Sequence, residues 1–278
     1  MKSEKGGAAA QKNRIAVIGG GNIGAAIARG FAASGRCRAC DITVTRRKQE
    51  LLSPLEKEGF AVSTDNRQAV RRAGVVVVAV GPHQVREALE GVRRELTKEH
   101  LVISIASGVT TEQLRQWAGP APRVIRAMTN TAISLREAMT SLCAAKGSED
   151  ALPRARELFD ALGRTLVIDE ELMLSATALS GCGIAFFLRA IRAASQGGIQ
   201  IGFHSDEAII MAAQTARGAA ALLLEQQGHP EDEIDKVTTP RGCTIEGLNE
   251  MEHHGFSSAM IRGIVTSSDK ASRLFKKD

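Results

Sequence analysis

Residues 14–35 read RIAVIGGGNIGAAIARGFAASG. A β-branched apolar run at 14–19 passes into a glycine cluster and then into small and apolar residues at helical spacing, which predicts strand, tight turn and helix. Within the turn Gly19, Gly21 and Gly24 are spaced G-x-G-x-x-G. Placed after a strand and before a helix, these glycines have physical roles: Gly19 permits the sharp turn, Gly21 lets the backbone close on a pyrophosphate, and Gly24 lets helix pack on strand. The helix start adds free N–H groups and a partial positive charge. Gly19, Gly20, Gly21, Asn22, Ile23 and Gly24 are therefore candidate phosphate-binding residues, set against the plainer reading of a glycine turn without a ligand.

Outward from this unit, a second strand is expected at Ile42 to Thr45, then a polar helical stretch and a short extended piece at Ala61 and Val62. The run Val75 to Val80 is continuously apolar, the pattern of a strand buried on both faces. Further strands are expected at 101–105, 124–127, 141–144 and 165–168, and helices at 84–95 and 152–162; Asp65 is placed to cap the helix that follows it. Such alternation predicts an α/β fold with a Rossmann-type doubly wound sheet. Beyond Asp169 no strand pattern appears, and 172–200, 205–227 and 257–276 read as helices, the second with an N-cap and acidic first turn at Ser205, Asp206 and Glu207 and a stop at Gly228. The expected organisation is a disordered tail at 1–12, a dinucleotide-binding domain at 13–169 and an all-helical domain at 170–278. Helices this apolar bury more than one face, which a domain of about 100 residues cannot supply alone, so a homodimer through the helical domain is expected.

Composition narrows the function classes. No tract of the 278 residues approaches the ~20 uninterrupted apolar residues of a membrane span. The net charge of +5 is spread along the chain, and with 3% aromatics and no Tyr there is little to stack on bases, so nucleic acid is not an expected partner. Cys37, Cys40, Cys143, Cys182 and Cys243 form an odd, scattered set, which points to a reducing, cytoplasmic setting without disulfides. Cys37 and Cys40 make one C-x-x-C with no second pair at ligand spacing, so no metal is expected. His204, His229, His253 and His254 read as surface residues.

An NAD-preferring site places an acidic residue at the end of the second strand, on the ribose 2′-hydroxyl. Here that place reads Thr45-Arg46-Arg47-Lys48. A hydroxyl and three cations suit a 2′-phosphate, because guanidinium grips phosphate through two parallel hydrogen bonds. NADPH is the expected cofactor and NADH the alternative; Arg47 and Lys48 also read as solvated residues of the next helix.

Two segments of the helical half stand out. Thr239-Pro240-Arg241-Gly242-Cys243-Thr244 precedes apolar residues spaced three apart, Ile245, Leu248 and Met251, so a loop runs into a helix start. The N–H groups of Gly242, Cys243 and Thr244 would form a carboxylate cradle there, or merely a helix cap. In Leu179-Ser180-Gly181-Cys182-Gly183 two glycines sit inside a helical stretch, where each costs roughly 1 kcal/mol relative to Ala. Either a helix crossing or a ligand accounts for them.

The segments VIGGGNIG (17–24), ISIASGV (103–109), RAMTNTA (126–132), TALSGCGIAFF (177–187) and VTTPRGCTIEGL (237–248) resemble, in order and spacing, those of the pyrroline-5-carboxylate reductases, across about residues 13 to 275. The resemblance implies reduction of a cyclic imine, 1-pyrroline-5-carboxylate, to proline by hydride from NAD(P)H, in dimers that often assemble further. It implies cofactor contacts at Asn66, Ala79, Val80, Ala106, Ser107 and Gly108, in addition to the glycine turn. It also implies that the Thr244 hydroxyl reaches the imine nitrogen, that Gly242 and Cys243 hold the substrate carboxylate, and that Glu170 lies near the substrate.

Departures from the family pattern cluster at the same places. The family's Ala-Val-Lys-Pro reads Ala79-Val80-Gly81-Pro82 here, and its Met-Pro-Asn-Thr-Pro reads Met128-Thr129-Asn130-Thr131-Ala132. Its Ser-Gly-Ser-Gly-Pro-Ala-Tyr reads Ser180-Gly181-Cys182-Gly183-Ile184-Ala185-Phe186, and its Ser-Pro-Gly-Gly-Thr-Thr reads Thr239-Pro240-Arg241-Gly242-Cys243-Thr244. Arg241 puts a long cation beside the carboxylate cradle. The alternatives are a paralogue reducing a different cyclic imine, and a catalytically silent NADPH-binding protein.

Overall fold

The computed structural model describes residues 13–226 and 228–274. The tail expected at 1–12 and the expected helix ends at Gln227 and 275–276 lie outside the described residues. The chain divides into two compact units: the described residues up to Gly181 together with those from Ser268 onward, and Cys182–Ser267.

In the first unit β1 (Ile15–Ile18), α1 (Asn22–Ala33), β2 (Ile42–Thr45), α2 (Ser53–Lys57), β3 (Ala61–Ser63), α3 (Asn66–Arg71), β4 (Val75–Val78) and α4 (Pro82–Val92) follow one another. Then come β5 (Leu101–Ser104), α5 (Thr111–Ala118), β6 (Arg123–Met128), β7 (Ala138–Ala144), α6 (Leu152–Asp160) and β8 (Gly163–Val167). These eight strands form one sheet in the order β3-β2-β1-β4-β5-β6-β7-β8. Its pairs are parallel except β6 with β7, where Arg126 lies opposite Cys143. Ile18 is level with Thr45 on one side and Val78 on the other. The chain order reverses at β1, so a crevice opens at the carboxyl ends of β1, β2 and β4, where such sheets bind ligands.

The central strands are apolar throughout because both sheet faces are covered. One core holds Val17, Val44, Val77, Ile103 and Phe31, with Phe159 meeting Phe31 edge to face at 6.0 Å. The other holds Ala16, Ile18, Val76, Val85 and Leu114. Alternate residues of one strand thus feed opposite cores.

Several elements depart from the sequence expectation for local reasons. β4 stops at Val78, and Ala79 and Val80 lead into Gly81 and Pro82, the cap and first residue of α4. β7 begins at Ala138, three residues early, because the buried Thr140 hydroxyl is satisfied by donating to Thr129 Oγ1 at 2.9 Å. α5 is a further helix, started by a capping box in which Thr110 accepts from the Gln113 N–H and the Gln113 side chain accepts from the Thr110 N–H.

The helix expected at 172–200 is not uniform. A 3-10 turn at Glu170–Leu172 leads into α7 (Met173–Ala176), a π-helical turn at Thr177–Cys182 and α8 (Gly183–Gln200). The π turn frees backbone groups, and the Ser180 carbonyl accepts from Asn130 Nδ2 at 3.1 Å. A Cβ on Gly181 would come within 2.7 Å of Met128 Cε, so close packing accounts for that glycine.

The second unit holds α8, then α9 (Ser205–Gln226), α10 (Pro230–Val237), α11 (Cys243–His253) and the greater part of α12 (Phe256–Leu274). α9 is capped differently from expectation: Ser205 is already helical, and the His204 N–H donates to the Glu207 carboxylate at 3.0 Å. α10, absent from the sequence expectation, starts with the His229 side chain accepting from the Glu231 N–H. Phe187, Leu188, Ile210, Ile261 and Val265 are exposed, Ile210 to 69%. Glu170–Gln200 and Ser205–Gln226 are long and apolar enough to cross a membrane, at mean hydropathy 1.6 and 1.2, yet little of either is buried within the chain.

Candidate functional site

A cleft of about 1070 Å³ opens at the carboxyl ends of β1, β2 and β4. It brings together Gly19, Gly20, Gly21, Thr45, Arg46, Arg47, Asn66, Ala79 and Val80 from the sequence expectation. Asn22, Ile23 and Gly24 open α1 behind the turn, and Ala106, Ser107 and Gly108 follow β5; none of these six lines the cleft. Lys48, Thr64, Arg67, Gln84 and Glu87 line it as well. Those last four sit at the starts of the helices after β3 and β4, a position that marks a doubly wound sheet's ligand edge even without a motif.

The three motif glycines do different things. Gly19 has φ +108°, and a Cβ there would lie 2.6 Å from the Ala79 carbonyl oxygen. A Cβ on Gly24 would collide with the Gly19 carbonyl oxygen, so helix and turn are in direct backbone contact. A Cβ on Gly21 would meet nothing within 4 Å. The Gly19 and Gly20 N–H groups both donate to the Thr45 carbonyl, at 3.1 and 2.8 Å. The donors open to an anion are accordingly those at Gly21 and the first turn of α1, and the space in front of them is the space a pyrophosphate requires.

At the end of β2 the cations have separate tasks. Arg46 Nη1 donates to the Gly20 carbonyl at 3.3 Å and braces the turn. Arg47 and Lys48 line the cleft, and among the described residues neither is in an ion pair. Thr45, whose hydroxyl the sequence offered to a 2′-phosphate, also lines the cleft. It is 1% exposed, and its hydroxyl donates to Asn66 Oδ1 at 2.6 Å.

Glu170 is likewise engaged within the first unit. Its Oε1 accepts from Arg126 Nη1 and, at 3.4 Å, from the Thr111 N–H; its Oε2 accepts from the Cys143 thiol at 3.0 Å. Burial alone would raise the Glu170 pKa, but the thiol and the Arg126 guanidinium outweigh it and hold the carboxyl below its usual range. The Cys143 thiol is pushed well above its ordinary value, first by burial and then by the carboxylate it donates to. The cluster fastens the start of the helical segment to β6 and β7, so the carboxylate expected beside a substrate already has three protein donors.

In the second unit Gly242 caps α11, with Cys243 and Thr244 as its first two helical residues. The Gly242 N–H donates to the Thr239 carbonyl at 2.9 Å. Of the expected trio of donors, the Gly242 N–H is therefore engaged in closing the turn, and those of Cys243 and Thr244 stand at the helix start. Gly242 is also where a side chain does not fit, since a Cβ would collide with the Thr239 hydroxyl. Arg241 takes φ 58°, a left-handed conformation that is costly for a residue with a Cβ. Among the described residues the Thr244 hydroxyl has no hydrogen-bond partner.

Residues 170–274 match the pyrroline-5-carboxylate reductase dimerisation family, and residues 14–108 match the family of coenzyme F420-dependent NADP oxidoreductases. Pyrroline-5-carboxylate reductase 1 of Dictyostelium discoideum is 49% identical over 95% of this chain, which spans 50% of that protein's length. Pyrroline-5-carboxylate reductase 2 of the same organism is 43% identical, over 93% of this chain and 92% of that one. The solved structure of a pyrroline-5-carboxylate reductase from Coxiella burnetii superposes with a TM-score of 0.88 at 32% identity, covering 96% of this chain and all of that one. With the glycine turn on one unit, the Thr244 loop on the other and relatives matching nearly end to end, the chain belongs to the pyrroline-5-carboxylate reductase family.

Proposed function

We propose that this chain reduces 1-pyrroline-5-carboxylate to proline, with NADPH as the preferred hydride donor and NADH as the secondary one. The observation that carries this reading is the start of α11 in a member of this family: two N–H groups of the first helical turn, at Cys243 and Thr244, beside a Thr244 hydroxyl that has no partner among the described residues. The open backbone at Gly21 and the cations Arg47 and Lys48 fit a phosphorylated dinucleotide.

When bound, the reduced nicotinamide supplies the hydride that adds to the imine carbon. The chain's own residues bind and orient. Gly21 and the first turn of α1 hold the pyrophosphate; Arg47 and Lys48 hold the 2′-phosphate, and Asn66, Ala79, Val80 and Ala106 to Gly108 flank the rest of the cofactor. The N–H groups of Cys243 and Thr244 hold the substrate carboxylate. The imine binds with its nitrogen protonated and donating to the Thr244 hydroxyl oxygen; as the new C–H bond forms, the electron pair of the C=N bond moves onto that nitrogen and leaves a neutral secondary amine, so no proton is drawn from the protein. A hydroxyl suits this task because it does not titrate near neutral pH, and the rate gain comes chiefly from alignment.

The functional boundary in this reading lies at Asp169 and Glu170, where the matched dimerisation region begins. The exposed apolar faces of α8, α9 and α12 are the surfaces a homodimer would bury, in preference to a lipid bilayer. Five free cysteines agree with a cytoplasmic setting.

Arg241 favours a second reading of the substrate alone. A long cation in a strained conformation, one residue before the capping glycine, suits an imine with an additional acidic group. One experiment tests both: NADPH oxidation by the purified full chain against five- and six-membered cyclic imino acids, with and without a second carboxylate. Turnover highest with pyrroline-5-carboxylate supports the first reading. Preference for the dicarboxylate supports the second, and no turnover with any imine despite NADPH binding sinks both. Thr244→Ala should lower turnover at least ten-fold, about 1.4 kcal/mol of transition-state stabilisation.

A further inference from the structure

We propose that Arg67 is the platform on which the adenine ring of the dinucleotide stacks, an inference that rests on the NADPH reading of the cleft. The phosphate-binding parts of the cleft lie at one end: the open backbone at Gly21, then Arg47 and Lys48 after β2. From there the lining continues over Thr64 to Arg67 at the start of α3 and ends on Ala88, Gly91 and Val92 of α4. A dinucleotide anchored by its pyrophosphate and 2′-phosphate sends its base toward that second end.

The chemistry of the second end suits a flat, largely apolar group. Ala88 and Val92 put apolar groups on that wall, and Leu51, which follows β2, lines the cleft while 43% exposed. Gly91 interrupts the apolar and helix-forming residues of α4, and a Cβ on it would meet nothing within 4 Å, so the wall is left recessed beside Arg67. The Arg67 guanidinium is held in place by Nε donating to the Gly91 carbonyl at 2.8 Å. Among the described residues it forms no ion pair with a carboxylate. A guanidinium tethered by one edge, planar and weakly hydrated, offers its face to an aromatic ring. Stacking of this kind reads the base and is indifferent to the 2′-phosphate, which separates it from a phosphate contact.

Dissociation constants of the full chain for NADPH, NADH, 2′,5′-ADP and reduced nicotinamide mononucleotide test the assignment, by calorimetry or nucleotide fluorescence. In Arg67→Met, NADPH, NADH and 2′,5′-ADP should each bind about ten-fold more weakly, with the mononucleotide, which lacks adenine, unaffected. Arg67→Lys keeps the charge but not the plane and should behave like Arg67→Met. Gly91→Leu fills the recess from the other wall and should give the same pattern in a chain that retains Arg67. A loss confined to NADPH and 2′,5′-ADP would reassign Arg67 to the 2′-phosphate and overturn the proposal, as would unchanged affinities. If the unaltered chain binds neither 2′,5′-ADP nor NADPH, the reading of the cleft itself fails, an outcome distinct from failure of Arg67 alone.

Discussion

The Thr45 hydroxyl donates to Oδ1 of Asn66 at 2.6 Å, joining the last residue of β2 to the first residue of α3 across the floor of the nucleotide cleft. Asn66 is already fixed at its backbone, because the preceding Asp65 caps α3 by accepting from the N–H groups of Arg67 and Gln68. With its amide oxygen taken by Thr45, Asn66 keeps its N–H₂ donors for a cofactor. If Asn66 contacts the cofactor, as proposed, Thr45 acts as a positioning residue one step removed from it.

Thr45→Val preserves the shape of the side chain and deletes this bond. A net hydrogen bond is worth about 1 kcal/mol, so the KM for NADPH should rise about five-fold. Thr45→Ser restores the donor and should restore the KM. An unchanged KM in the valine variant would detach Asn66 from cofactor binding.

Arg47→Ala removes a cation that lines the cleft and has no carboxylate partner among the described residues. If it holds the 2′-phosphate, kcat/KM for NADPH should fall at least ten-fold, about 1.4 kcal/mol, and that for NADH should hardly move. Equal losses with both nucleotides would show that the cation steers the dinucleotide without reading its phosphate.

Substituting two glycines of one turn should separate folding from binding. Gly21→Ala places a methyl in open space, so the melting temperature should stay within about 1 °C while NADPH affinity drops by ten-fold or more. Gly19→Ala puts a methyl 2.6 Å from the Ala79 carbonyl oxygen at φ +108°, so it should lower the melting temperature by several degrees. Thermal melts with and without NADPH check both; equal melting losses in the two variants would contradict the division.

How much of this was legible in the sequence depended on whether a signal was local. The glycine turn and the apolar runs of β1 and β4 carry their meaning within a few residues, and the structure forms all three, with β4 ending at Val78, two residues before its apolar run does. The Thr110 and Gln113 capping box was also written locally, yet α5 behind it is only eight residues long and mostly polar, with Leu114 and Ala118 as its buried residues. The role of Thr45 was not legible, because Asn66 lies 21 residues away and meets it only through the pairing of the sheet. The same holds for Glu170: a carboxylate at the start of a helix gives no hint that β6 and β7, antiparallel here, bring Arg126 and Cys143 side by side beneath it. At Gly181 the group that comes close is Met128, supplied by a distant strand, which the local sequence gives no means of naming.

The Arg126, Cys143 and Glu170 cluster makes a stability prediction with a definite sign. Arg126 is almost fully buried, whereas the Glu170 side chain is 31% exposed. Glu170 has a lower pKa folded than unfolded, so its contribution is present above the unfolded value of about 4.3 and is lost as pH falls through the folded value. Removing one member of a fully buried pair costs about 3–5 kcal/mol; with Glu170 partly hydrated, Glu170→Gln should cost roughly 2 kcal/mol at pH 7. That cost arises from leaving the Arg126 charge with weaker partners, and acid imposes the same loss on the unaltered protein by protonating Glu170. The gap in melting temperature between the two proteins should therefore be widest near pH 7 and should close as pH is lowered below about 4. A gap that stays constant from pH 7 to pH 3.5 would mean that the carboxylate's charge contributes nothing and that the cluster acts by packing alone.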